Sequence, residues 1–194
     1  DYYSGGGSGH VSAQSVVTAY EGLRQRAEAA GIKVVHSAER DPAKVKTLAQ
    51  AADVVIIVGA TTATEGTDRK TLHLDDNVDA LIQAIAPLKP TAVLMQTPGA
   101  VLTPWRDNVS AVANLFLGGE ESGHAWASVV FGDEPPMGKL PIMMPATAQD
   151  VVTPEAGIAR YAEGLFTSYR SRTFKAAFPF GHGLSYTTFL YGAA

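Results

Sequence analysis

The residues best equipped for chemistry gather in one loop, residues 59–74 (GATTATEGTDRKTLHL). It holds one Glu, one Asp, one Arg and one Lys among several Thr hydroxyls, directly after a continuous apolar run at residues 53–59. Glu65 is the only Glu between Glu39 and Glu120. A carboxyl group there can serve as an acid and a base, provided burial raises its pKa; left open to water it is an ordinary carboxylate. The plainer reading is a solvated loop in which Asp68 pairs with Arg69 or Lys70, worth at most ~1 kcal/mol. Arg forks pin carboxylates readily, so an Asp68–Arg69 pair that shapes the loop is the expected arrangement. Gly66 suits the turn itself.

These residues must be positioned by the elements around them. Residues 14–30 read as an amphipathic helix, with Val17, Tyr20 and Leu23 on one face and Arg24, Arg26 and Glu28 opposite. Gly31 supplies its stop, and residues 32–37 read as a short strand. Asp41 and Pro42 fit an N-cap and first helical position, opening a helix over 43–51. Residues 53–59 (DVVIIVG) form the clearest strand, β-branched from Val54 to Val58, as suits burial on both faces of a parallel sheet. A helix over 75–87, a strand over 91–96, a loop over 97–108, a strand over 111–116 and a helix over 120–131 follow. This alternation predicts an α/β fold, a three-layer α/β/α sandwich with a mainly parallel sheet. In open α/β sheets, ligands meet the loops at the carboxyl ends of strands. Here those are residues 59–74, 96–108 and 117–123.

From Gly132 onward, Pro135, Pro136, Pro141, Pro145, Pro154 and Pro179 punctuate short segments, so the C-terminal third is expected to wrap around the sheet rather than extend it. Its last motif, residues 178–189 (FPFGHGLSYTTF), reads as a Gly-rich turn feeding an apolar strand. Residues 5–9 (GGGSG) read from composition as a flexible linker.

Composition excludes several functions. With 46% hydrophobic and 18% charged residues, the chain of 194 can bury an ordinary core and is far from the disordered class. No internal repeat and no break into two domains is visible. A net charge of −4 without any Lys/Arg block argues against nucleic acid or an anionic membrane as partner. Cysteine is absent, which removes disulfides, thiolate metal sites and a Cys nucleophile. No apolar run reaches the ~18 residues of a membrane span. Without an initiator Met or a signal peptide, the chain is expected to begin inside a longer precursor. His10, His36, His73, His124 and His182 lie apart, with no metal-ligand spacing. His182, between two Gly, is expected to make structural hydrogen bonds. No Gly-x-Ser-x-Gly elbow supports a serine hydrolase, and residues 5–9 follow no strand, so no dinucleotide site is implied. No cofactor and no metal is expected.

Several motifs, in order, resemble the C-terminal domain of family 3 glycoside hydrolases, the β-glucosidase-type enzymes. Residues 178–189 are similar to its closing signature, and residues 5–9 to its early Gly-rich segment. The order strand, Glu-Gly-x-Asp-Arg at residues 65–69, then helix is similar to the family's acid/base loop. Residues 118–123 (GGEESG) followed by 125–132 (AWASVVFG) resemble its Pro-Gly-Gln-Glu-Gly-Gly segment and the next helix. Residues 136–141 (PMGKLP) resemble its Pro-Ser-Gly-Lys-Leu-Pro element. Tyr161-x-Glu-Gly-Leu-Phe166 with Tyr169-Arg170 resembles its Tyr-x-Glu-Gly-Leu stretch and the Tyr-Arg after it. The match runs from about residue 5 to residue 191. It departs at Glu120, where the family usually has Gln, at Ser122 in place of Gly, and at Pro98 and Ala100.

The resemblance implies one domain over residues 1–194, from a retaining enzyme that removes β-linked glucosyl or similar units from oligosaccharides or glucosides. Glu65 carries over as its general acid/base, and Asp68 and Arg69 as candidate sugar contacts. Trp105 is a candidate for stacking on a sugar face, against the plainer reading of buried packing. The nucleophile of that family is an Asp on a preceding (β/α)8 barrel domain, in the same precursor or as a separate chain, so the 194 residues alone are expected to be inactive. Secretion or a periplasmic location suits a glycan-degrading enzyme, though the chain itself leaves the compartment open. The competing reading is a stand-alone, non-catalytic carbohydrate-binding or interaction module derived from the same domain.

Overall fold

The computed structural model describes residues 2–151, 158 and 160–193; Pro154 and the other residues of 152–157 lie outside that description. The clearest strand of the sequence becomes β1, Val55–Ala60, and is followed by β2, Thr91–Gln96, and β3, Ala111–Asn114. The three pair in parallel in the order β1-β2-β3, with Val55 opposite Thr91 and Ala92 opposite Ala111. Alternate side chains of β2 point to opposite faces, and that alternation builds two cores. Val93 and Met95 pack with Ile57 and with helices α2, Pro42–Ala51, and α3, Val78–Ile85. Leu94 faces the other way, toward helices α1, Ala19–Ala29, and α4, Ser122–Val130, where it meets Ala19, Leu23 and Trp126. The result is three layers, α/β/α, around a parallel sheet.

Helices α1 and α2 begin at side-chain caps. Thr18 Oγ1 accepts from the Glu21 N–H at 3.0 Å and starts α1 at Ala19, five residues later than the apolar pattern suggested. Residues before it are diverted into backbone bonds, Val17 N–H to Glu120 O and Gly123 N–H to Val17 O. The buried face of α1 is Ala19, Gly22, Leu23 and Ala27 rather than the Val17–Tyr20–Leu23 stripe. Close approach of α4 is the reason. A Cβ on Gly22 would lie 2.1 Å from Gly123 O, and one on Gly123 would lie 2.1 Å from Thr18 O. Only glycine at both positions lets the two backbones meet. Asp41 caps α2 from its side chain with Pro42 at the first position, as expected. The expected helix over 75–87 starts later, at Val78, because Asp76 (φ 58°) and Asn77 (φ 60°) are left-handed, a conformation that Asn and Asp tolerate.

Three expectations give way. Residues 32–37 form no strand; Ile32, Val34 and Val35 remain exposed, and the segment is held at Tyr20, whose ring stacks on His36 at 4.1 Å. A β-branched run makes a strand only when a neighbour takes its backbone groups. β1 is buried on one face, not two: Ile57 is covered by α2 and α3, whereas Val54, Ile56 and Val58 face outward at the sheet edge. The strand covered on both faces is β2. The apolar strand expected after the FPFGHG turn is absent, with Leu184, Tyr186 and Phe189 exposed.

The C-terminal third wraps as expected. Met144, in the short strand β4, Met144–Pro145, enters the α2/α3 core and pairs antiparallel with β5, Ala176–Phe178. Leu140, Ile142 and Phe178 pack against the same core. The His182 backbone, not its ring, makes the turn's structural bonds: its N–H donates to Pro179 O and its carbonyl accepts from Leu140 N–H, while the ring lies against Phe178.

Candidate functional site

Glu65 stands at the exposed tip of a loop that leaves the carboxyl end of β1 and returns at Asp75. The loop is closed at its neck. Asp75 Oδ2 accepts from the Thr62 N–H at 2.8 Å and the Thr62 hydroxyl at 3.0 Å, and Oδ1 accepts from the buried Thr61 hydroxyl at 3.1 Å. Ends drawn together around a compact excursion describe an Ω-loop. A carboxylate taking three donors from the opposite end holds such a loop in one shape.

The glycine-rich segment is no linker. It lies along the outgoing arm of the loop: Gly6 N–H donates to Ala63 O at 3.0 Å, and Gly6 forms a parallel bridge with Thr64. Tyr2 joins the same arm, its hydroxyl donating to Ala63 O and accepting from Ala63 N–H, each at 2.7 Å. Tyr3 O accepts from Gly119 N–H, so residues 2–9 strap the loop after β1 to the loop after β3. At the end of this strap Ser8 meets Glu65, its N–H at 2.8 Å and its hydroxyl at 2.5 Å from Oε2. These two donors hold the Glu65 carboxyl below its usual pKa, the hydroxyl contributing more than the amide. Both donors favour the carboxylate form of Glu65.

Asp68 and Arg69 are not paired. Asp68 is exposed and makes no hydrogen bond or ion pair among the described residues. Arg69 turns inward beside Tyr2, Asp75 and Gly99; its Nη1 is buried without a partner, and that burial lowers the guanidinium pKa against the pull of Asp75. The expected Asp68–Arg69 ion pair is therefore replaced by two separated groups. Asp75 accepts from Thr61 and Thr62, and Arg69 lies near it but makes no hydrogen bond among the described residues.

Trp105 does not face the loop surface. It is 0% exposed, and its Nε1–H donates to Asp79 Oδ1 at 2.6 Å. A ring enclosed on both faces has none to offer a sugar, so stacking gives way to packing. The other Asp79 oxygen lies 2.7 Å from His73 Nδ1, which ties the returning end of the Glu65 loop to the loop after β2. Glu120 and Ser122, both departures from the family pattern, are accommodated: Glu120 Oε2 accepts from Gln14 N–H, and the buried Ser122 hydroxyl donates to Gly119 O.

Sequence reasoning placed Glu65 on the loop but missed Ser8, Asp75 and Asp79. Asp75 was read as the start of a helix, and its position just after a Thr-rich loop was the available signal. Ser8 could have been found from its setting, because glycines on both sides of a hydroxyl allow a backbone to come close to another chain segment. Among the described residues no group of three His, Asp or Glu side chains could hold a metal ion, and no helix is long and apolar enough to cross a membrane.

Residues 1–186 match the family model described as glycosyl hydrolase family 3 C-terminal domain. A β-glucosidase of Rhizobium radiobacter is 38% identical over 143 residues, covering 67% of this chain and 18% of that protein. Thermostable β-glucosidase B of Acetivibrio thermocellus is 32% identical over 211 residues, covering 97% of this chain and 28% of that protein. Among solved structures, a glycoside hydrolase family 3 β-glucosidase from Neurospora crassa superposes with TM-score 0.89 at 30% identity, over 97% of this chain and 26% of that one. The chain thus spans between about a fifth and three tenths of the proteins it matches. The α/β layering, the ordered motifs and these matches agree: this chain belongs to glycosyl hydrolase family 3, as a C-terminal domain of that family.

Proposed function

We propose that this chain supplies the general acid/base, Glu65, to the active site of a retaining β-glucosidase-type hydrolase whose nucleophile lies on a (β/α)8 barrel domain outside these residues. The observation that carries the reading is the placement of Glu65: the sole Glu of its loop, at the tip of a braced excursion from the carboxyl end of a parallel strand. In a retaining mechanism a carboxylic acid protonates the departing glycosidic oxygen while a second carboxylate, about 5 to 5.5 Å away, attacks the sugar. The same Glu, now ionised, then takes a proton from water as the glycosyl–enzyme bond is hydrolysed. Exposure suits Glu65 to this role only after a barrel domain covers it, since desolvation is what lifts a carboxyl pKa into the working range.

Asp68, exposed near Glu65 and unpartnered among the described residues, is available to accept from a sugar hydroxyl. Arg69 serves the loop from beneath, where it lies between Tyr2 and Asp75. The substrate class is β-glucosides or oligosaccharides carrying a β-linked glucosyl or similar unit, and the 194 residues by themselves do not turn over. The test is Glu65→Gln in the complete native protein, assayed on aryl β-glucosides. Turnover should fall by about two to four orders of magnitude, with partial recovery when azide is added as an external nucleophile. Undiminished turnover would overturn the reading.

A further inference from the structure

The glycine-rich segment grips the side chain on which the proposed chemistry depends. Ser8 supplies two donors, its amide at 2.8 Å and its hydroxyl at 2.5 Å, and both converge on one oxygen, Oε2 of Glu65. The approach is possible because the neighbouring positions lack side chains. Gly7 has φ +74°, and a Cβ there would lie 2.4 Å from Glu65 Cβ. A Cβ on Gly6 would lie 2.5 Å from Thr64 Oγ1. The backbone bridge from Gly6 to Thr64 fixes the register of the two segments, so that Ser8 falls opposite Glu65.

We infer that Ser8 is a positioning residue for Glu65: the segment 5–9 is a clamp that holds the side chain by Oε2 in its carboxylate form and leaves Oε1 to carry the proton for the leaving group. The inference rests on the reading of Glu65 as acid/base, and it assigns Ser8 an action through Glu65 rather than on the sugar. The two half-reactions need opposite forms of the same carboxyl group, an acid first and a base second. Donors that point at the carboxylate favour the second form and oppose the first. The clamp therefore favours Glu65 as a base, and a proton on Oε1 binds against the pull of the two donors on Oε2.

Other groups facing Glu65 do not account for its state. His10, just after the glycine-rich segment, has its Nδ1 engaged with Ser4 Oγ at 3.1 Å and Gly5 O at 3.2 Å. Tyr2 and Tyr3, just before that segment, are bound to Ala63, Ala13 and Gly119. On the loop itself, Asp68, Arg69 and Lys70 form no ion pair with Glu65 among the described residues, and the causes of its lowered pKa are the hydroxyl and amide of Ser8.

The experiment compares wild type, Ser8→Ala and Ser8→Thr of the complete native protein, recording kcat/KM on an aryl β-glucoside against pH. The alkaline limb reports the group that must be protonated in the free enzyme. Removing the hydroxyl should move that limb to higher pH, and Ser8→Thr, which keeps the hydroxyl, should bring it back. An alkaline limb unmoved in Ser8→Ala overturns the clamp, whether or not kcat falls. A second readout needs no turnover: the pH at which the Glu65 carboxyl band appears in infrared difference spectra against Glu65→Gln should rise in Ser8→Ala, and an unmoved band overturns the clamp. The two claims separate cleanly. Full turnover by Glu65→Gln removes the acid/base reading, while the infrared band still decides whether Ser8 holds Glu65. Ser8 is exposed, so both variants should melt at the wild-type temperature.

Discussion

Asp75 holds Thr62 across the neck of the Glu65 loop, thirteen positions apart in sequence, accepting both the Thr62 amide and its hydroxyl at Oδ2. The contact makes the loop one piece with the start of α3. Asp75→Ala should lower stability by about 1.5 to 3 kcal/mol, the range for hydrogen bonds to a charged group. In the complete protein it should lower kcat by leaving Glu65 on a loosened support. Urea unfolding and single-substrate kinetics check the two effects, and equal values for variant and wild type would show that the neck is held elsewhere.

Asp79 links two loops through a buried carboxylate, with Trp105 on one oxygen and His73 on the other. Asp79→Leu strands the Trp105 N–H in the core and should destabilise by about 1 to 3 kcal/mol, the cost of a buried donor without an acceptor. Asp79→Asn keeps an acceptor for the indole and should cost less. Chemical denaturation followed by Trp fluorescence separates the two variants.

Where α1 and α4 cross, Gly22 and Gly123 bring backbone against backbone. Gly22→Ala drives a methyl into the Gly123 carbonyl, and the stability lost should reach about 1 to 3 kcal/mol or more, because overpacking moves whole elements. The outcome is opposite to that on an open helix face, where Gly→Ala stabilises by about 1 kcal/mol. A thermal melt decides between them.

Acid should loosen α1. Glu21 is pulled down to about 2, first by its hydrogen bonds with Arg24 and then by Gln25. Its folded pKa lies below the ordinary 4.5. The stability it contributes is therefore present above that ordinary value and is lost as pH falls toward 2. Glu39, Glu65 and Asp133 are shifted in the same direction, by Asp41 and Lys44, by Ser8, and by Arg26 respectively. The melting temperature should hold above about pH 5 and decline below it, and Glu21→Gln should flatten part of that decline.

Much of the fold was legible because its signals are local. The apolar run at β2 was bounded correctly at both ends, and the Asp41–Pro42 cap identified the start of α2. The errors share a cause. Residues 32–37 carry strand propensity, and β1 carries the composition of a doubly buried strand, but both outcomes depend on what lies alongside, which composition does not encode. The helix face was misjudged because Val17 and Tyr20 outrank Gly22 in hydropathy, whereas packing against Gly123 rewards the absence of a side chain. At the site, the sequence alone marks Glu65 as the one Glu of the loop after β1. Ser8, 57 positions away, was not legible, because a pairing of that span is written in the approach of two backbones rather than in any local pattern.

The strap of residues 2–9 has a consequence for entropy. Tyr2 is bound to the loop after β1 and Tyr3 to the loop after β3, so two excursions from different strands share one tether. Fixing a free backbone residue costs roughly 1 to 2 kcal/mol. Loops ordered separately would meet that cost when a ligand arrives. Tethered during folding, they meet it once, and the loops around Glu65 are ordered before any ligand arrives.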